Sequence, residues 1–272
     1  MTETARALES LLAFWIDSGV DSAIDEAPLD HLASPSPPAA SPLRSPAVRA
    51  TSPTSGDDQP SDAGPILALA VAEAQTAAAG AGDLDALAAT IARFDACPLK
   101  AGARQAVFAR GRPDAPIMII GEAPGADEDS LGKPFVGRAG KLLDVMLGAA
   151  GLADEVFIIN TVFWRPPGNR TPTAAEQAIC APFVERAIRL AQPRALLLAG
   201  GASAKFMLGR SEGILALRGR WIEWRSADET LEIPALPTLH PAFLLRQPAA
   251  KKKSWTDMLM LAERIRRPAR PG

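Results

Sequence analysis

Four side chains in this chain have types and positions that could do chemistry together: Glu122, Phe135, Asn160 and His240. Glu122 lies in Gly121-Glu122-Ala123-Pro124-Gly125, directly after Pro116-Ile117-Met118-Ile119-Ile120, an apolar run that reads as a buried parallel strand. Asn160 closes a second such run, Val156-Phe157-Ile158-Ile159, and His240 follows a third, Ile233-Pro234-Ala235-Leu236-Pro237. If the three strands are parallel, these polar side chains converge on one rim of a sheet, where open α/β folds bind ligands. Phe135 stands in the glycine-flanked segment Gly132-Lys133-Pro134-Phe135-Val136-Gly137-Arg138-Ala139-Gly140. An acid, an amide, an imidazole and an aromatic ring around one pocket suit a nucleobase: the ring stacks, the amide pairs with an edge, and the acid and imidazole handle charge. Each residue alone has a plainer reading. A lone histidine is more often packed or at the surface, and a loop phenylalanine more often anchors its loop. The glycine spacing matches neither common phosphate loop, which disfavours a nucleotide cofactor.

The elements that must position these residues alternate. The pattern predicts strands at 116–120, 156–160 and 195–199, helices at about 139–149, 174–190 and 202–208, a strand pair near 220–224 and 232–237, and a last helix at about 254–266. An alanine-rich helical stretch runs from Ile66 to about Phe94, broken near Gly80-Ala81-Gly82. The expected fold class is α/β, a three-layer sandwich with a central, mainly parallel four-stranded sheet. Ahead of it, residues 1–32 are expected to hold a short helical segment with Leu8, Leu11, Leu12 and Trp15 on one side. Residues 33–65, rich in Pro, Ser and Ala, read as a disordered linker, and 66–268 as the catalytic domain.

Charge is unevenly spread. Residues 1–64 carry ten acids and three bases, a net of −7, while the remainder carries 26 bases against 21 acids. The modest total of −2 therefore conceals a basic domain suited to phosphates. No secretory or membrane segment is visible, so a cytoplasmic location is expected. With only Cys97 and Cys180, a disulfide framework is not.

Taken together, Gly121-Glu122-Ala123-Pro124-Gly125, the Gly132–Gly140 segment, Asn160 through Trp164-Arg165-Pro166-Pro167-Gly168-Asn169-Arg170, and His240-Pro241-x-x-Leu244-Leu245-Arg246 resemble a known set. From about Phe94 to Leu261 the chain resembles the uracil-DNA glycosylase superfamily, in particular its fourth family, whose members usually carry an iron–sulfur cluster. The resemblance implies an enzyme that flips uracil out of DNA and hydrolyses its N-glycosidic bond, leaving an abasic site. It implies catalytic roles for Glu122 and His240, and base binding by Gly121, Ala123, Gly125, Phe135 and Asn160. It further implies DNA contacts from Arg138, Arg170 and Arg246, with Lys251–Lys253 as additional basic groups and Leu244 or Leu245 as a wedge into the vacated stack. The expected partner is uracil-containing DNA, with a protein partner for the N-terminal helix as a further expectation, no membrane, and a monomeric state.

Two departures from the family pattern stand out. Its cluster is held by four cysteines, but here Phe94-Asp95-Ala96-Cys97 replaces the first Cys-x-x-Cys, and Trp164 stands where the third precedes Arg-Pro-Pro. Only Cys97 and Cys180 match, as remnants of the four-cysteine site, and two thiolates cannot hold a cluster that needs four ligands. No metal or organic cofactor is therefore expected. Ala242-Phe243 also replaces the usual Ser-Tyr after His-Pro, losing a hydroxyl near the DNA backbone. The competing readings are a catalytically silent DNA-binding or recruitment module of the same fold, and a glycosylase for hypoxanthine, xanthine or mismatched thymine.

Because no motif falls in the acidic arm, deleting residues 1–64 is expected to leave excision on short oligonucleotides nearly intact. DNA binding should tighten, through an effect that shrinks with salt. A salt-titrated binding assay with parallel cleavage checks this; loss of activity with the fold preserved would place the arm in the site.

Overall fold

Runs of β-branched and leucine residues with no charge within them form strands that bury both faces. The computed structural model describes residues 63–267. The expected helical segment at 1–32 and nearly all of the linker at 33–65 lie outside the described residues. Helix α1 begins at Ala63 and runs to Ala79. Helix α2 follows at Leu84–Arg93, capped by Asp83, whose carboxylate accepts from the Ala86 N–H at 2.7 Å.

Four parallel strands form the centre of the sheet: β2 (Ile117–Gly121), β3 (Val156–Asn160), β4 (Ala195–Ala199) and β6 (Glu232–Thr238). The two-residue β1 (Arg110–Gly111) pairs antiparallel with β3, and β5 (Ile222–Arg225) pairs antiparallel with β6. The order is β1-β3-β2-β4-β6-β5, so the sheet has six strands, with the expected four at its centre. The extra edge strand β1 has no sequence signal, being too short to show alternation.

Side chains leave the central strands alternately. Met118, Ile120, Phe157, Ile159, Leu196 and Leu198 pack on one face with α1, α2 and α5 (Ala174–Ala191). Ile117, Ile119, Val156, Ile158, Ala195 and Leu197 face the opposite layer, made by α4 (Arg138–Ala149), α8 (Pro241–Arg246) and α9 (Lys251–Arg266). Three short helices complete the chain: α3 (Ala126–Leu131), α6 (Gly201–Leu208) and α7 (Ile214–Leu217). Helices α3 and α8 were not foreseen, because each sits inside a motif whose glycines or prolines read as loop.

The carboxyl end of β6 is tied down by a buried carboxylate. Asp257, fully buried on α9, accepts from Arg218 at 2.6 and 3.1 Å and from the Thr238 hydroxyl at 2.7 Å. Burial raises its pKa, while Thr238 and Arg218 oppose the rise. Removing one partner of such a pair leaves an uncompensated charge. Asp257→Ala should therefore destabilise the fold by about 3 kcal/mol or more, and Asp257→Asn by less, since the amide oxygen can still accept from Thr238. Urea unfolding of both variants checks the order.

Candidate active site

The site begins where β2 and β3 end side by side. Gly121 and Asn160 are register partners, and the Thr161 N–H donates to the Gly121 carbonyl at 3.0 Å. The Thr161 hydroxyl donates to the Glu122 carbonyl at 2.6 Å, fixing the backbone of the acid. Both Gly121 and Asn160 point toward the layer that holds Phe135. A Cβ at Gly121 would lie 2.4 Å from the Asn160 Oδ1 and 2.5 Å from the Phe135 ring, so no larger residue fits between them. Gly121, expected among the base-binding residues, is absent from the cleft lining and instead lies behind Phe135 and Asn160, which line it.

Phe135 is held in an uncommon conformation, with φ +53°. An L residue occupies that region at a cost of about 1–2 kcal/mol. Its backbone is pressed on Gly140 in the first turn of α4, where a Cβ would come within 1.7 Å of the Phe135 carbonyl oxygen. Glu128 on α3 closes the arrangement. Its carboxylate accepts from the N–H of Gly125 at 3.0 Å and from those of Val136 and Gly137 at 2.9 Å each, stapling the Glu122 loop to the Phe135 loop. Sequence reasoning missed Glu128 and Thr161. The signal for Glu128 was an acid three residues after a glycine N-cap, the position from which a carboxylate reaches back to orphan N–H groups.

His240 lies two residues beyond β6 and caps α8. Its Nδ1 accepts from the Ala242 N–H at 3.1 Å. An accepting Nδ1 carries no proton, so Nε2–H is the donor of the neutral ring. Burial, and next the Arg246 charge, lower its pKa from 6.5 to about 4, with Glu128 pulling weakly the other way. The ring stacks on Phe135 with centroids 5.6 Å apart and an interplanar angle of 29°.

These groups surround a cleft of about 550 Å³ lined by Glu122, Ala123, Gly125, Phe135, Asn160 and His240, with Arg170 and Arg246 at its polar margin. Pro166, Asn169 and Thr171 add a wall from the segment after β3. Asn160 is 1% exposed, and its Nδ2 has no hydrogen-bond partner among the described residues. A buried amide donor left open in this way costs about 1–3 kcal/mol unless something in the cleft accepts from it.

The expected DNA contacts divide. Arg138, at the start of α4, and Arg246 are exposed. Arg170 lines the cleft, but its guanidinium is committed to Glu176 at 2.6 and 2.8 Å, and Arg170 in turn lowers the Glu176 pKa. It orders the loop ahead of α5 more than it offers a free charge. Leu244 is fully buried against the α9 layer and cannot wedge into DNA without unpacking that layer; Leu245, 39% exposed, can. Lys251 is likewise buried, with burial lowering its pKa, which leaves Lys252 and Lys253 as the exposed members of that run.

The four positions implied for a cluster all lie in the core layer that α5 packs against the sheet. Phe94, Cys97, Trp164 and Cys180 are each 5% exposed or less and belong to one apolar cluster. Contact with Cys97, together with burial, holds the Cys180 thiol well above its ordinary pKa. Two thiols and two aromatic rings that offer no thiolate do not fit a four-thiolate group, and no set of three or more His, Cys, Asp or Glu is grouped to hold a metal ion among the described residues.

Comparison with known proteins gives the same frame. A model of the uracil DNA glycosylase superfamily matches residues 108–260. The type-4 uracil-DNA glycosylase of Thermotoga maritima is 38% identical over 158 residues, 57% of this chain and 80% of the relative. That of Pyrobaculum aerophilum is 38% identical over 183 residues, 65% of this chain and 92% of the relative. A type-5 uracil-DNA glycosylase from Mycobacterium leprae is 33% identical over 175 residues, covering 51% and 76%. The matched span runs from just before β1 into α9 and takes in every side chain that faces the cleft, which makes this chain a member of the uracil DNA glycosylase superfamily.

Proposed function

We propose that the chain is a DNA repair glycosylase that draws uracil out of DNA into the cleft and hydrolyses its N-glycosidic bond. The observation that carries this reading is the unpaired Asn160 Nδ2, buried beside Phe135 and facing a cleft that His240 also lines. Uracil answers it: O4 accepts from Nδ2–H while N3–H donates to Oδ1. Cytosine presents a donor where O4 would be and a bare N3 where a proton is needed. Leaving both pairs unmade costs about 1–3 kcal/mol each, which rejects it strongly.

When the bond between C1′ and N1 breaks, the electron pair leaves with the base and positive charge grows on the sugar. The Glu122 carboxylate faces that cation and orients the water whose oxygen adds to C1′. The proton that the water gives up is finally balanced by protonation of the released base. His240, neutral and with Nε2 as its donor, offers a hydrogen bond to O2, where the negative charge collects. A donor preorganised toward developing charge is worth about 3–4 kcal/mol. Arg246 at the cleft margin and Arg138, Lys252 and Lys253 beyond it meet phosphates, and Leu245 is the wedge toward the gap left in the stack.

Strand-cleavage assays on oligonucleotides holding a single uracil, thymine mismatch, hypoxanthine or xanthine test the reading; cleavage at uracil is expected, and none at any base would favour a silent binding module. In the same assay Asn160→Asp should lose most uracil excision and discriminate less against cytosine, because a carboxylate lacks the NH₂ donor and its protonated form can pair with cytosine.

The low pKa of His240 fixes a second expectation. A histidine depressed to about 4 stays neutral across the working range, so its titration adds no fall in rate as pH rises from about 6 to 9. His240→Ala should slow single-turnover cleavage roughly 10²–10³-fold by a factor constant over that range. Glu122→Gln should slow cleavage while largely sparing uracil-DNA binding. A rate that declines through neutral pH in the parent protein but not in His240→Ala would make the imidazolium the active form.

A further inference from the structure

Rings continue from the cluster positions into the core. Phe94 meets Phe183 edge-on at 5.0 Å and 72°, Phe183 meets Phe163 at 6.3 Å and 83°, and Phe163 meets Trp164 at 6.3 Å and 89°. The two thiols lie in the same cluster: Cys97 contacts Cys180, and the Phe163 backbone N–H donates a hydrogen bond to the Cys180 sulfur. Three segments are joined by this set, the end of α2 through Phe94, the middle of α5 through Cys180 and Phe183, and the strand exit through Phe163 and Trp164. Trp164 immediately precedes the wall of the cleft formed by Pro166, Asn169, Arg170 and Thr171.

We infer that Phe94 and Trp164, closed on the buried Cys97–Cys180 pair, form an aromatic plug that anchors the cleft wall by packing, in the place where relatives with four cysteines would anchor it by ligation. The physical grounds are the donor set and the fit. Phenylalanine and tryptophan offer no thiolate, and both rings are buried at 5% and 1% exposure within edge-to-face contacts that a bulky inorganic core would displace. The far end of the wall is held separately, by the Arg170–Glu176 pair and by Thr173, whose N–H donates to the Glu176 carboxylate at 2.8 Å. Trp164 is thus a positioning residue for the near end of the wall, acting through residues 165–171.

The test treats the full chain and its variants with ferrous iron and sulfide under anaerobic conditions. The parent protein should stay colourless, with no broad absorbance near ~400 nm and no stoichiometric iron. The double variant Phe94→Cys, Trp164→Cys should acquire that absorbance and about four irons per chain, because the two new thiols complete a four-ligand set. Stoichiometric iron and sulfide in the parent, or a folded double variant that takes up none, would overturn the inference. A second arm serves if the double variant fails to fold. Trp164→Ala should raise KM for uracil-containing DNA several-fold more than it lowers kcat, and Trp164→Phe should restore KM; equal losses in both parameters, unrescued by Phe, would overturn the anchoring role. Iron content and colour are read without any glycosylase assay, so failure here is distinguishable from failure of the proposed activity.

Discussion

The absence of a side chain at Gly121 is the constraint on which the rest of the site depends. Because a Cβ there would lie within 2.6 Å of both, the bare end of β2 lets the Phe135 ring and the Asn160 amide close over one residue of backbone. Both then line the cleft, Asn160 at a height fixed by the sheet register. Any side chain there would push the ring off its seat, turn the amide away, or separate two central strands at their carboxyl ends. The left-handed backbone of Phe135 follows from this geometry, since the ring reaches Gly121 only by turning where an extended residue would continue. Packed cores transmit such strain because they contain little free volume to absorb it.

Electrostatics then finishes what packing begins. Glu128, at the edge of the cleft, accepts from three backbone N–H groups and so ties the loop with the acid to the loop with the ring. On the other side, the first turn of α8 uses His240 as its cap and in doing so selects which ring nitrogen faces outward. A helix start, normally a local affair of orphan N–H groups, here decides the tautomer of a side chain that lines the cleft. The Asp257 anchor stands two residues behind it, so the strand end that carries the imidazole is held from α9 as well as from within the sheet.

Much of this was legible in the sequence because strand ends are legible. Uncharged runs of Ile, Leu and Val mark buried parallel strands, and a polar residue closing such a run falls at the rim whatever the helices do. That reasoning located Glu122, Asn160 and His240 in one place before any contact was known. What it could not locate were residues whose role depends on where a chain bends back. Glu128 looked like one of several acids in a polar loop, and the two residues of β1 carry no periodicity. Leu244 and Leu245 are identical in type and adjacent in sequence, yet α8 buries one and exposes the other, a difference set by the layer packed behind the helix. Arg170 likewise reads as a free cation until Glu176, six residues later, is seen to hold it.

The ring-and-thiol assembly beside α5 changes how this protein can fail. Where a wall is held by metal–sulfur bonds, its integrity answers to oxidants and to iron supply. A wall held by edge-to-face rings answers to temperature, since what holds it is buried hydrocarbon with a large heat-capacity signature. Loosening there would arrive gradually on heating, as a softening of residues 165–171 ahead of global unfolding, instead of abruptly on loss of an ion. The damage would also reverse on cooling, because no ligand has to be found again.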